Sequence, residues 1–86
     1  MNKSDRKLND EIMAIHFTSS DQLINYSIPC KKSDIFNTVE QKLYKEYPDY
    51  SKKNCYFIGN GSLIDKQKSM EKNNLKSGDT VLVNIE

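Results

Sequence analysis

The stretch that most constrains this chain is Ser33 to Tyr50, SDIFNTVEQKLYKEYPDY. Phe36, Val39, Leu43 and Tyr47 recur at the 3.6-residue period of one α-helical face. Asn37, Thr38, Glu40, Gln41, Lys42, Lys45 and Glu46 take the other side. The spacing predicts a helix over about 35–47. Ser33 and Asp34 stand where an N-cap oxygen is wanted, because the amides of the first turn have no partner within the helix. Pro48 ends it, having no N–H to donate and forcing its predecessor out of helical geometry. One amphipathic helix cannot bury its stripe alone, so the flanking sequence has to supply a sheet.

Ile12 to Thr18 alternates Met13, Ile15 and Phe17 with Ala14, His16 and Thr18, the period of a half-buried strand. Leu23 to Cys30 alternates again, with Ile24, Tyr26, Ile28 and Cys30 on one face. The polar Ser19–Gln22 loop makes the two a hairpin in which Phe17 is expected opposite Ile24. Pro29 lacks a ladder donor and belongs at a strand end or a sheet edge. After the helix, Tyr50 is an apolar residue in a polar loop, expected to tuck under the helix end. Cys55–Ile58 is a short strand. It is followed by Asn60-Gly61, whose type I′ turn needs positive φ at both central residues, and by a return strand starting at Leu63-Ile64. Residues 70–73 read as a one-turn helix, and Asn74 and Gly78 suit left-handed backbone. Thr80–Ile85 is a closing β-rich strand with Val81, Val83 and Ile85 on one face and Leu82 and Asn84 on the other. One helix on an open sheet is an α+β arrangement.

Eighty-six residues allow a single domain. Met1–Glu11, with Leu8 as its one apolar residue after Met1, is expected to be a flexible polar tail, leaving 12–86 as the domain. Thirteen Lys and Arg against twelve Asp and Glu give a net charge of +1, and Arg6 is the only arginine. Neither a basic excess nor arginine forks for phosphate or guanine are present, which argues against a nucleic-acid partner. Two cysteines are too few for a disulfide scaffold. With no signal-like or membrane-length apolar run, the expectation is an intracellular chain, cytoplasmic or nuclear, with reduced thiols and no membrane contact.

The run CYFIGNGSLIDKQKSMEKNNLKSGDTVLVNI resembles the ubiquitin-like family and its β-grasp fold: strand, glycine turn, apolar residue, Ser-Met turn, Asn-Leu, polar turn, alternating strand. Phe57, Ile64, Met70, Leu75, Val81 and Val83 match the family's core positions, and Asn74 its tight Asn. The hairpin and the helix residues Phe36, Val39 and Leu43 match the first half. The resemblance covers about residues 12–86. It implies a mixed sheet of four to five strands packed on one helix, with the last strand parallel to the first in the middle. Conjugated members end in a Gly-Gly arm, whereas this sequence ends at Glu86 on its strand; the resemblance therefore implies a non-conjugated type. The family's recognition face lies on the third and last strands. Here Ile58 takes its central position, Leu82 and Asn84 replace a His and a Val, and Tyr56 replaces a basic neighbour.

Catalytic groupings do not assemble. With Phe17 opposite Ile24, Cys30 would lie opposite Glu11, roughly 17 Å along the strands from His16 and on the other face. Cys55 has no visible orienting partner. Two Cys and one His cannot furnish a four-ligand metal site, no phosphate-binding glycine loop occurs, and no cofactor is implied. The expectation is a protein with no enzymatic activity and no small-molecule substrate. The outward cluster Tyr56, Ile58 and Leu82, with Asn84 beside it, has the make-up of a protein interface centre. A second candidate is a basic rim of Lys31, Lys32, Lys42 and Lys45, continued by Lys52 and Lys53 and diluted by Glu40, Glu46 and Asp49. The leading expectation is a non-catalytic protein–protein interaction module, an adaptor or assembly subunit docking through the sheet patch. The alternatives are a small structural subunit of a large complex, or a Ras-association or PB1-like β-grasp module that uses charge.

Overall fold

The computed structural model describes residues 12–86; the tail expected over 1–11 lies outside the described residues. Five strands and one helix follow in the order β1 (Ile12–Ser19), β2 (Asn25–Lys31), α1 (Phe36–Glu46), a 3₁₀ helix (Pro48–Lys52), β3 (Cys55–Gly59), β4 (Ser62–Leu63) and β5 (Thr80–Ile85). The sheet order is β2-β1-β5-β3-β4. β5 lies parallel to β1 in the middle, and the other pairings are antiparallel. This is the mixed α+β sheet expected, with all five strands present.

Alternation puts Met13, Ile15 and Phe17 of β1, Cys55 and Phe57 of β3, and Val81 and Val83 of β5 on the inner face, all buried. The helical stripe of Phe36, Val39 and Leu43 lies on them, each fully buried. Three phenylalanines from three elements meet at the centre: ring centroids are 6.0 Å apart for Phe17–Phe36, 6.1 Å for Phe17–Phe57 and 5.0 Å for Phe36–Phe57, all tilted or edge-on. Burial of each ring is worth about 1.5–3 kcal/mol, and such ring pairs add about 0.5–1.5 kcal/mol.

The helix begins differently from expectation. Its N-cap is Ile35, with no side-chain cap. The first amides are instead satisfied from a distant loop, Phe36 N–H donating to the Lys68 carbonyl at 2.9 Å and Asn37 N–H to the Lys66 carbonyl at 3.0 Å. The Asp34 carboxylate accepts from the Lys31 amide at 2.8 Å and so closes the turn before the helix. At the other end, Tyr47 N–H reaches the Leu43 carbonyl, and Pro48 starts the 3₁₀ helix, which sequence reading did not foresee. Tyr50 does tuck under the helix end, buried and edge-on to Tyr47.

The register of the first hairpin is shifted by two residues from expectation: Phe17 faces Tyr26, and Cys30 faces Met13. The loop is wider than assumed. Ser19 N–H bonds to the Ile24 carbonyl, the Ser19 hydroxyl accepts from the Ile24 amide, and Gln22 turns the chain at φ 65°. Asn60 and Gly61 adopt φ of 52° and 78°, as their turn requires, and Asn74 takes 60°. Residues 70–73 form a single turn, closed by Asn73 N–H on the Ser69 carbonyl. Asn73 also staples the loop before it: its side-chain oxygen accepts from the Asp65 amide at 2.9 Å, and its amide donates to the Asp65 and Ser69 carbonyls at 2.9 and 3.0 Å.

Glu40, read from the sequence as part of the polar helix side, is only 4% exposed. Loop residues after β4 cover that flank, and Lys66 reaches in. Its ammonium sits 3.0 Å from the Glu40 carboxylate, donates to the Cys55 carbonyl at 2.8 Å and lies 5.3 Å from the Phe57 ring centroid. The Tyr44 hydroxyl donates to the same carboxylate. Burial, with Glu40 and Cys55 beside it, pushes the Tyr44 phenol above its ordinary range.

Candidate protein-binding face

Among the described residues, α1 and the loops cover one side of the sheet and none covers the other, where period-2 alternation decides which side chains show. Strand register sets these side chains in rows. One row crosses the whole sheet: Asn25, Thr18, Leu82, Ile58 and Leu63, from β2 to β4. Ser27, His16 and Thr80 form the row on one side of it, and Asn84 pairs with Tyr56 on the other. The four residues expected at the patch, Tyr56, Ile58, Leu82 and Asn84, therefore share one face as cross-strand pairs. All four are half-buried, held by the ladder yet reachable.

Leu63 belongs with them and was missed. It lies directly across from Ile58 and is 67% exposed. The signal was available in the sequence, since a two-residue Asn60-Gly61 turn fixes Gly59 opposite Ser62 and hence Ile58 opposite Leu63. Beyond Leu63 the face turns over the sheet edge into an open groove bordered by Tyr56, Leu63, Lys66, Gln67 and Glu86. Such a block of neighbouring apolar side chains differs from the scattered single ones that every protein surface carries.

The basic candidates lie elsewhere. Lys31 ends β2 and Lys32 begins the turn into the helix. Lys42 crosses from α1 to donate to the Pro29 carbonyl of β2 at 3.5 Å, and Lys45 is exposed in the last helical turn. Lys31 and Lys42 thus flank the seam between β2 and α1, with Asp34 among them. Glu40 does not dilute this rim, because its charge is turned inward to Lys66.

Nucleophile chemistry gains nothing from the corrected register. Cys30, opposite Met13, is three places from His16, roughly 10 Å along the strand, and points inward while His16 points outward to the Ser27 hydroxyl at 3.1 Å. Burial first, then the nearby Asp34 carboxylate, pushes the Cys30 thiol up to about 11, with Lys42 opposing. Cys55 is buried, its sulfur 3.7 Å from the Tyr50 carbonyl. Among the described residues no group of three or more His, Cys, Asp or Glu is placed to hold a metal ion. Nor is any helix among them long and apolar enough to cross a membrane.

Comparison with solved structures places this architecture. A de novo designed protein based on ubiquitin superposes with a TM-score of 0.74 at 16% identity, over 87% of this chain and 89% of that one. The fold is ubiquitin-like. The N-terminal ubiquitin-like domain of the 4931431F19Rik protein matches with a TM-score of 0.69 at 13% identity, covering 87% of this chain and 75% of that one. The ubiquitin-like domain of Arabidopsis thaliana protein At2g32350 matches at 0.74 and 6% identity, over 87% and 78% of the two chains. No family model matches the sequence, and no curated protein matches it. Likeness at these identities speaks for the shared ubiquitin-like fold alone.

Proposed function

We propose that residues 12–86 form a non-catalytic ubiquitin-like module that binds protein partners through the outward sheet face centred on Ile58. The observation that carries this reading is the row Leu82–Ile58–Leu63, with Tyr56 adjoining: four apolar side chains set side by side by strand register, none of them needed by the core. An aromatic beside aliphatic side chains on a rigid sheet has the composition of an interface centre. Binding is non-covalent in this reading. The two buried free thiols suit a reducing compartment.

The test is Ile58→Arg. Ile58 is half-exposed and faces away from the core, so the variant keeps its urea midpoint while losing the partners that wild type captures from the source cell. Equal capture by both proteins would refute the patch. A second reading, charge-based docking at the seam of β2 and α1, is supported by the approach of Lys42 to Pro29 beside Lys31. It requires capture that falls steeply with salt and is lost in Lys31→Glu/Lys32→Glu, outcomes the sheet patch does not give.

A further inference from the structure

The Asn60-Gly61 turn does more than reverse the chain. Of the asparagines in the sequence, Asn60 alone is followed by glycine. A glycine amide has no side chain to shield it, so its nitrogen can close on the neighbouring carboxamide carbon in a five-membered ring. Both residues are exposed, at the tip of the hairpin that ends the sheet. The Asn60 side chain also holds two pieces of backbone together. Its Nδ2 donates to the Asn74 carbonyl at 3.0 Å and to the Asp79 carboxylate at 3.1 Å. The same carboxylate accepts from the Lys76 amide at 2.9 Å, and the Asp79 carbonyl accepts from the His16 amide at 3.0 Å. The carboxamide thus clamps the β3–β4 turn to the 74–79 segment that leads into β5. The Lys76 amide first, then the Asn60 amide, hold the Asp79 carboxyl below its ordinary range.

We propose that Asn60 is a site of spontaneous covalent modification: it loses ammonia to become aspartate or isoaspartate, and the change unclamps the sheet edge that presents Leu63. The consequence for partners rests on the reading of that face as a docking surface; the chemistry does not. Hydroxide takes the Gly61 amide proton, the amide nitrogen bonds to the Asn60 Cγ, and the Cγ–Nδ2 bond breaks. Nδ2 takes a proton from water and leaves as ammonia. Water then opens the resulting succinimide at one of its two ring C–N bonds. Opening at Cγ leaves aspartate; opening at the main-chain carbon leaves isoaspartate, with the chain running through the former side chain. One water enters and one ammonia leaves, with no change of oxidation state. Because β4 is two residues long and lies at the end of the sheet, the turn opens to reach the ring geometry with little ladder lost.

Either product undoes the clamp. The donors to Asn74 and Asp79 are gone, and a carboxylate now faces the Asp79 carboxylate, two like charges with Lys76 as the nearby cation. Isoaspartate also lengthens the main chain by one carbon. The tight turn that sets Gly59 opposite Ser62 and Ile58 opposite Leu63 then no longer fits, and Leu63 leaves its row. Phe57 and Val81 stay buried beneath, so the domain remains folded while the rim of its outward patch is lost.

The full 86-residue chain, incubated at neutral and at mildly alkaline pH and then mapped by peptide mass, tests this. The expected result is that the peptide holding Asn60 gains about 1 Da and splits into two chromatographic forms, faster at the higher pH. Asn60→Gln, which would need a six-membered ring, keeps its mass. The aged protein has a lower urea midpoint than fresh protein and loses the Ile58–Leu63 cross-strand nuclear Overhauser contacts, while those between Phe17 and Phe57 persist. Asn60→Asp reproduces the lower midpoint but keeps the Ile58–Leu63 contacts, since it adds no carbon to the main chain. No gain of mass at Asn60 at alkaline pH, or a gain that leaves either the midpoint or the Ile58–Leu63 contacts as in fresh protein, would overturn the inference. These readings need no partner, so the Ile58→Arg capture experiment decides the docking reading separately.

Discussion

Removing the charge of Lys66 should cost more than removing the charge of Glu40, although the two form one pair. The reason is unequal access to water: the Lys66 side chain is 37% exposed and that of Glu40 5%. In Lys66→Met an apolar side chain replaces the ammonium beside the Phe57 ring, while the Glu40 carboxylate stays buried and keeps the bond from the Tyr44 hydroxyl. Stranding a buried charge in this way typically costs about 3–5 kcal/mol, and the half-open Lys66 side puts this case near 3. In Glu40→Gln the amide oxygen still accepts from Tyr44. The lysine keeps its bond to the Cys55 carbonyl and can turn toward solvent, so the loss is about 1 kcal/mol.

A domain of this size has only about 4–13 kcal/mol in total, so both effects are visible in urea melts followed by far-UV circular dichroism. The decisive measurement is the double variant. Adding Glu40→Gln to Lys66→Met removes the stranded charge and should recover about 1–2 kcal/mol, a gain from a second mutation that independent sites never give. A double variant no more stable than Lys66→Met alone, or singles of equal cost, would refute the reasoning.

Asn73→Ala should cost about 2–3 kcal/mol, because three close hydrogen bonds to the 65–69 loop are lost together and the Asp65 amide loses its acceptor; Asn73→Asp, which keeps that acceptor and loses the amide donors, should fall between. Cys30 gives a pH dependence. Its thiol is raised in the fold to about 11, so above pH ~9 the unfolded chain binds fewer protons than the native one, and stability declines as pH rises from ~9 to ~11. Urea melts at pH 8, 9 and 10 should show this decline in wild type and a shallower one in Cys30→Ala; parallel curves would exclude Cys30 as its source.

What the sequence made legible follows from local periodicity. The helical stripe and the β1 alternation needed no knowledge of the rest of the chain, and Asn60-Gly61 announced its own hairpin. The first hairpin shows why core and register can part company. Pairing Phe17 with Ile24 instead of Tyr26 is an error of two residues, and a shift of two keeps every side chain on its own face. The core prediction therefore survived a wrong register. What stayed illegible was contributed across long sequence separations. The helix start is capped by carbonyls of Lys66 and Lys68, and Glu40 is drawn inward by Lys66, 26 positions away. Period analysis assigns Glu40 to a polar side correctly but cannot see a loop closing over it.

Why docking should fall on the sheet and not on the helix can be argued from entropy as well as composition. The exposed side of α1 carries Lys42, Lys45 and Glu46, long side chains of mixed sign that lose about 1.5–2 kcal/mol each of rotamer freedom when immobilised. On the sheet, Thr18, Ile58 and Leu82 are short or branched, half-buried and already confined by neighbours on both flanking strands. A partner meeting them has little left to order, so more of the contact energy remains as affinity. β5, which carries Leu82 and Asn84, is bonded on both sides, to β1 and to β3, and Phe57 in the aromatic centre anchors β3 from beneath. The face that is cheapest to dock against is thus also the one the core holds most rigidly, which is where a recognition surface on so small a domain is best placed.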